Sequence, residues 1–128
     1  MKKQTNKTPT GILLSLLLML FCQLAAAQNT KTLKNKTPEE RAQLLTKLMK
    51  TRLSLDTGQL ARLKVINLKY ALKNEPIIKS DAGKLAKLKQ FKALQKEKNA
   101  ELKKVFTAEQ YNQYQAFEAE MKEKISHQ

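Results

Sequence analysis

Few side chains in this chain of 128 residues are equipped for acid–base or nucleophilic chemistry. The one histidine, His127, stands next to the last residue, and the one cysteine, Cys22, lies in an apolar run. A lone cysteine excludes a disulfide framework or a cysteine-ligated zinc site within one chain. Glu118, Glu120 and Glu123 cluster without a basic or metal partner of defined geometry, so they read as a solvated helix face. Asp56 and Glu40 have better explanations as helix-cap residues. No enzyme activity and no bound cofactor or metal are expected. What stands out instead is charge: 25 Lys+Arg against 11 Asp+Glu, a formal net charge of +14. Such an excess favours an anionic partner.

The N-terminus accounts for part of that charge. Lys2, Lys3 and Lys7 precede an apolar run from Ile12 to Cys22, and Ala25-Ala26-Ala27 follows. Positive start, apolar middle and small-residue end make a secretory signal peptide, with cleavage expected between Ala27 and Gln28. The run is short for a membrane span, which needs about 20 residues. Phe21 before Cys22 argues against a lipoprotein site. Losing residues 1–27 would remove three lysines and the cysteine, so the charge falls from +14 to +11. The expected location is the periplasm, and export argues against nucleic acid as the partner for the charge.

Residues 28–36 read as a flexible basic arm and 37–128 as a single all-helical domain of four helices. Thr37-Pro38-Glu39-Glu40 is a capping box with proline at the first helical position. The helix it starts should reach Arg52, with Leu44, Leu45, Leu48 and Met49 on its apolar face. Leu55-Asp56-Thr57-Gly58-Gln59 starts the second helix: Asp56 caps, Gln59 reaches back, and Leu55 staples onto Leu60. Glu75-Pro76 should stop it near Asn74. Ser80 or Asp81 should cap a third helix running to Lys104, lined by Leu88, Phe91, Leu94, Leu102 and Val105. Phe106-Thr107-Ala108-Glu109-Gln110 repeats the second start, with Thr107 as cap, Gln110 completing the box and Phe106 stapling onto Tyr111. Tyr111, Tyr114, Phe117, Met121 and Ile125 then form an apolar stripe that reads as core.

The two starts, at Leu55, Asp56 and Gln59 and at Phe106, Thr107 and Gln110, resemble the paired Leu-Thr-x-x-Gln motif of the Spy/CpxP family of LTXXQ-motif periplasmic proteins. Asp replaces Thr in the first copy and Phe replaces Leu in the second; each keeps the capping or stapling role. The resemblance covers nearly all of the chain after the leader. It implies elongated helical hairpins in a cradle-shaped antiparallel homodimer. It also implies ATP-independent holding of unfolded periplasmic proteins, or a part in envelope-stress sensing. Some relatives bind metal; this chain lacks the His and Cys residues for it.

The helix faces bear on the same question. The second helix carries two apolar stripes on different sides, one of Ala61, Val65, Leu68 and Leu72 and one of Leu63, Ile66 and Tyr70. A helix of a small monomer ordinarily needs only one. Either it is the central helix of a bundle, or one side meets a partner. Arg62, Lys69 and Lys73 flank Ile66, and Lys89, Lys92, Lys96 and Lys103 form a basic stripe on the third helix. Residues 60–104 hold 13 basic and 4 acidic groups. Arg62, Leu63, Ile66, Lys69, Tyr70, Lys73 and the four lysines therefore make a candidate surface for unfolded or misfolded envelope proteins. A regulator that binds the periplasmic domain of a membrane sensor protein, and a binder of anionic lipid or lipopolysaccharide, are the competing readings.

Overall fold

Three capping boxes were expected, and all three set helix boundaries. The computed structural model describes residues 35–126. The expected leader, its Ala27–Gln28 cleavage point, Cys22, most of the arm, the side chain of Ile125 and His127 lie outside the described residues. The protein is all-α: α1 (Pro38–Leu53), α2 (Thr57–Lys79), α3 (Lys84–Leu102) and α4 (Ala108–Ser126) follow one another, with no strand among the described residues. At α1 the Thr37 hydroxyl accepts from the Glu40 N–H at 3.2 Å, and Glu40 accepts from the Thr37 N–H at 2.8 Å. The Asp56 box opens α2 with bonds of 2.8 and 3.2 Å. Gly58 suits that first turn, because a Cβ there would lie 3.3 Å from the Asp56 Oδ1 acceptor. Thr107 and Gln110 repeat the reciprocal pair at α4, at 3.0 and 3.2 Å.

The end of α2 and the start of α3 differ from expectation, while the ends of α1 and α3, at Leu53 and Leu102, fall within two residues of it. Proline does not stop α2 at Asn74; the helix runs through Pro76 to Lys79. Pro76 has no N–H to give the preceding turn. Tertiary contacts hold the extension regardless: Ile77 is buried, and Glu75 bonds Arg41 of α1 and Lys79 on the next turn. Ser80 consequently closes α2 rather than opening α3, its N–H and hydroxyl both donating to the Ile77 carbonyl. Neither Ser80 nor Asp81 caps α3, whose N-cap is Gly83 with no side-chain cap bond.

The core gathers Met49 and Leu53 of α1, Leu63, Ile66 and Tyr70 of α2, Leu102 and Phe106 around the α3–α4 turn, and Tyr114 and Phe117 of α4. Met49, Leu53, Leu63 and Leu102 are almost wholly out of water. Burial of such a side chain contributes about 1.5–3 kcal/mol. Leu55 packs against this cluster, and Phe106 meets the Tyr114 ring at 6.0 Å, one turn beyond the expected Tyr111. The faces of α1 and α3 are rotated slightly from expectation. Leu48 and Leu88 face solvent, while Ala42 and Thr46 turn inward on α1 and Lys98 does so on α3.

The two capping-box glutamines meet. Gln59 Nε2 donates to Gln110 Oε1 at 2.7 Å, and Gln110 Nε2 donates back to Gln59 Oε1 at 3.2 Å. Their remaining donors go to the Val105 and Leu53 carbonyls. One amide pair therefore ties the starts of α2 and α4 to each other and to the turns before them.

Candidate functional site

Leu63, Ile66 and Tyr70 do not face a partner: they are 0, 8 and 2% exposed and belong to the core. This corrects the apolar half of the expected surface. Of the two stripes on α2, the chain buries this one against α1, α3 and α4, which leaves the other outward. Val65 is 68% exposed, Leu72 48% and Leu68 37%. A periodic pattern shows that a helix has two apolar sides; which one turns inward depends on the helices packed against it.

The basic half divides. Lys69 bonds Glu101 at 2.5 Å and Lys73 bonds Glu97 at 3.0 Å, so both join α2 to α3 rather than standing free. Both ammonium groups also lie within 5.4 Å of the Tyr70 ring centre. The Tyr70 hydroxyl donates to Glu101 at 2.8 Å. Desolvation, then this bond and the Glu101 charge, push that hydroxyl up to about 12. The Glu101 carboxyl is held low by its bonds from Lys69 and Tyr70. By contrast Arg62, Lys89, Lys92 and Lys96 are exposed and make no ion pair among the described residues. Lys103 is exposed too, over the Tyr111 ring at 5.9 Å. On the same helix Leu85 is 80% exposed and Leu88 46%. The exposed surfaces of α2 and α3 thus carry both unpaired cations and aliphatic side chains in water.

The inward side holds polar groups that the sequence reading missed. Asn67, beside Ile66, is 1% exposed. The Thr46 hydroxyl donates to the Ala42 carbonyl at 2.7 Å, which leaves its oxygen to accept from Asn67 Nδ2 at 2.9 Å. That fixes the amide, and among the described residues neither Asn67 Oδ1 nor Asn74 Oδ1 has a partner. Lys98 is 7% exposed and bonds no group among the described residues. Burial lowers its ammonium to about 8, against a partial counter-effect from Glu118. These residues line a cavity of about 160 Å³ between α1, α2 and α3. A signal existed: Phe91, Leu94, Lys98, Leu102 and Val105 fall at spacings of three and four, so Lys98 occupies an apolar line.

The carboxylates near the C-terminus are not simply solvated. Glu118 accepts from Asn99 Nδ2 at 3.2 Å, and Asn99 also accepts from the Tyr114 hydroxyl at 2.7 Å. Gln95 completes this α3–α4 network through the same hydroxyl at 2.9 Å. Glu120 pairs with Arg52 at 3.2 Å. No group of three His, Cys, Asp or Glu residues among those described could hold a metal ion. None of the described helices is long and apolar enough to cross a membrane.

Comparison with known families adds one result. The chain belongs to the family described as a domain of unknown function, DUF4890, whose model matches residues 26–114. The match takes in all three capping boxes and all of α1, α2 and α3. No curated protein and no solved structure matches the chain.

Proposed function

We propose that this protein is an ATP-independent periplasmic holdase that binds unfolded or misfolded envelope polypeptides through the outward side of α2 and α3. The observation that carries the reading is the exposure of Val65, Leu68 and Leu72 on α2 and of Leu85 and Leu88 on α3, the helix that also carries the unpaired Lys89, Lys92 and Lys96. Aliphatic surface in water is unfavourable by about 25 cal/mol per Å², so covering it with unfolded chain is favourable. Exposed cations accelerate the encounter with acidic segments, and lysine stems add adaptable apolar area beneath their charges. The resemblance of both helix starts to the Spy/CpxP motif supports the same reading, as do the leader-like N-terminus and the basic middle hairpin. A second copy of the chain, in the antiparallel cradle that the resemblance implies, would cover part of this side and leave the rest for clients.

The test is light scattering from an aggregating model client, without nucleotide. Suppression at low salt is expected, weakening as ionic strength rises and the screening length falls below about 10 Å. Replacing Val65, Leu68 and Leu72 together by serine should abolish it without loss of helicity. Unchanged aggregation at low salt with the protein in molar excess would rule the holdase out. A single saturable partner in an envelope pull-down would point instead to a regulator of a sensor protein.

A further inference from the structure

Three unmet polar groups share one cavity. Lys98 brings N–H donors from α3, and Asn67 and Asn74 bring carbonyl oxygens from α2, none with a hydrogen-bond partner among the described residues. The two carbonyl oxygens are wholly buried, and a buried polar group without a partner costs about 1–3 kcal/mol. Leu45, Ala71 and Phe91 complete the lining with apolar surface. The most exposed lining residue, Ile78 at 36%, marks the mouth.

We propose that this cavity binds a carboxylate whose neighbouring carbon bears an N–H donor and a short aliphatic side chain, as in a free amino acid or the last residue of a polypeptide. The acceptor must be anionic, because Lys98 is a buried cation whose only nearby counter-charge, Glu118, is already engaged by Asn99 and Lys122. Charge-assisted bonds of this kind are about twice as strong as neutral ones. The donor must sit beside the anion, because Asn67 and Asn74, on the adjoining helix, each present a buried and unpartnered Oδ1 to the same cavity. Asn67 cannot turn its amide round to supply a donor, since Thr46 holds Nδ2. The side chain must be small and aliphatic. A volume of about 160 Å³ is close to the roughly 150 Å³ that admits benzene, so the head group and a few carbons fill it, and the remainder leaves past Ile78. None of the polar groups belongs to the outward surface of α2 and α3, so this site and the holdase surface stand or fall separately.

Isothermal titration of the purified protein with four probes tests the proposal: L-leucine, N-acetyl-L-leucine, N-acetyl-L-leucinamide and isovalerate. Saturable binding is expected for leucine if the ligand is a free amino acid, or for N-acetyl-leucine if it is a chain terminus. The leucinamide lacks the anion and isovalerate lacks the donor, so each should bind at least roughly tenfold more weakly, the effect of one charge-assisted hydrogen bond. Lys98→Met should abolish binding while the helical signal and the client assay persist. Ala71→Leu, which fills the apolar part of the lining, should do the same without removing a polar group. No saturable response to either carboxylate at millimolar concentration would overturn the proposal and leave a cavity holding water. Equal affinity in wild type and Lys98→Met would overturn it too.

Discussion

The two ends of α2 are built on opposite principles. At its start every polar atom of the Gln59 side chain is used: Oε1 accepts from the Asp56 N–H and from Gln110, and Nε2 donates to Gln110 and to the Val105 carbonyl. At its finish Pro76 removes a backbone donor, Asn74 Oδ1 has no partner among the described residues, and α3 then follows Gly83, an N-cap without a side-chain bond. The first end is a fixed joint between two helix starts. The second is held by Ile77, by the Glu75 pairs with Arg41 and Lys79, and by Lys87 donating to the Ile78 carbonyl at 3.1 Å. The cavity and the exposed Leu72, Ile78, Leu85 and Leu88 all gather toward the second end. Polar pairing is complete where the chain needs a defined register, and incomplete where surface and cavity are left open to a ligand or client.

The sharpest break in this contrast comes at the joint. Gln59→Leu removes several hydrogen bonds and strands the Val105 carbonyl and part of Gln110; a loss of about 2–3 kcal/mol is expected, at roughly 1 kcal/mol per bond. Gln110→Leu should match it. The double variant should lose clearly less than the sum of the two, since residues in one network couple by about 0.5–3 kcal/mol. Urea unfolding of the four proteins measures this, and strict additivity would mean that the two amides act independently.

Next in size is the buried charge of Lys98. Its folded-state value, about 8, lies below its ordinary 10.5. The unfolded chain therefore holds more protons between those values, and stability should rise as pH increases from about 8 toward 10. The Tyr70 and Tyr114 hydroxyls, pushed up chiefly by burial, act in the opposite sense above pH 10. Lys98→Met should flatten the rise and add on the order of 1–3 kcal/mol at neutral pH. A thermal melt series from pH 7 to about 10 reads both effects. Smaller again is Pro76→Ala, which restores a backbone donor and should stabilise by about 1–2 kcal/mol, less than the full helix-propensity difference because alanine also frees the unfolded chain. Gly83→Ser is the mildest: φ there is −60° and a Cβ would meet nothing within 4 Å, so a gain of a few tenths of a kcal/mol is expected from the added cap. If Gly83→Ser proved as large as Gln59→Leu, the contrast between the ends would be lost.

The helix starts at Thr37, Asp56 and Thr107 were legible because a capping box is local chemistry, complete within four residues. The end of α2 was not, because Ile77 burial and the Arg41–Glu75 pair, 34 residues apart, override the local effect of Pro76. Both apolar sides of α2 were visible in its periodicity, yet their assignment needed the neighbouring helices. Lys89, Lys92 and Lys96 were read as exposed and are so. Lys98 was hidden among them by its charge, although its position matched Phe91, Leu94 and Leu102. The meeting of Gln59 with Gln110 was foreshadowed only by the recurrence of one motif, since nothing local says that two caps will touch.

That meeting also has a kinetic meaning. Gln59 and Gln110 are separated by 51 positions, whereas a helix and its hairpin partner find each other over far shorter loops. Contacts closing long loops carry the larger entropic penalty and tend to form late. The amide pair is then a latch fastened after the hairpins have condensed, absent from the rate-limiting barrier to folding. Its loss should leave the refolding rate nearly unchanged and appear almost wholly as faster unfolding.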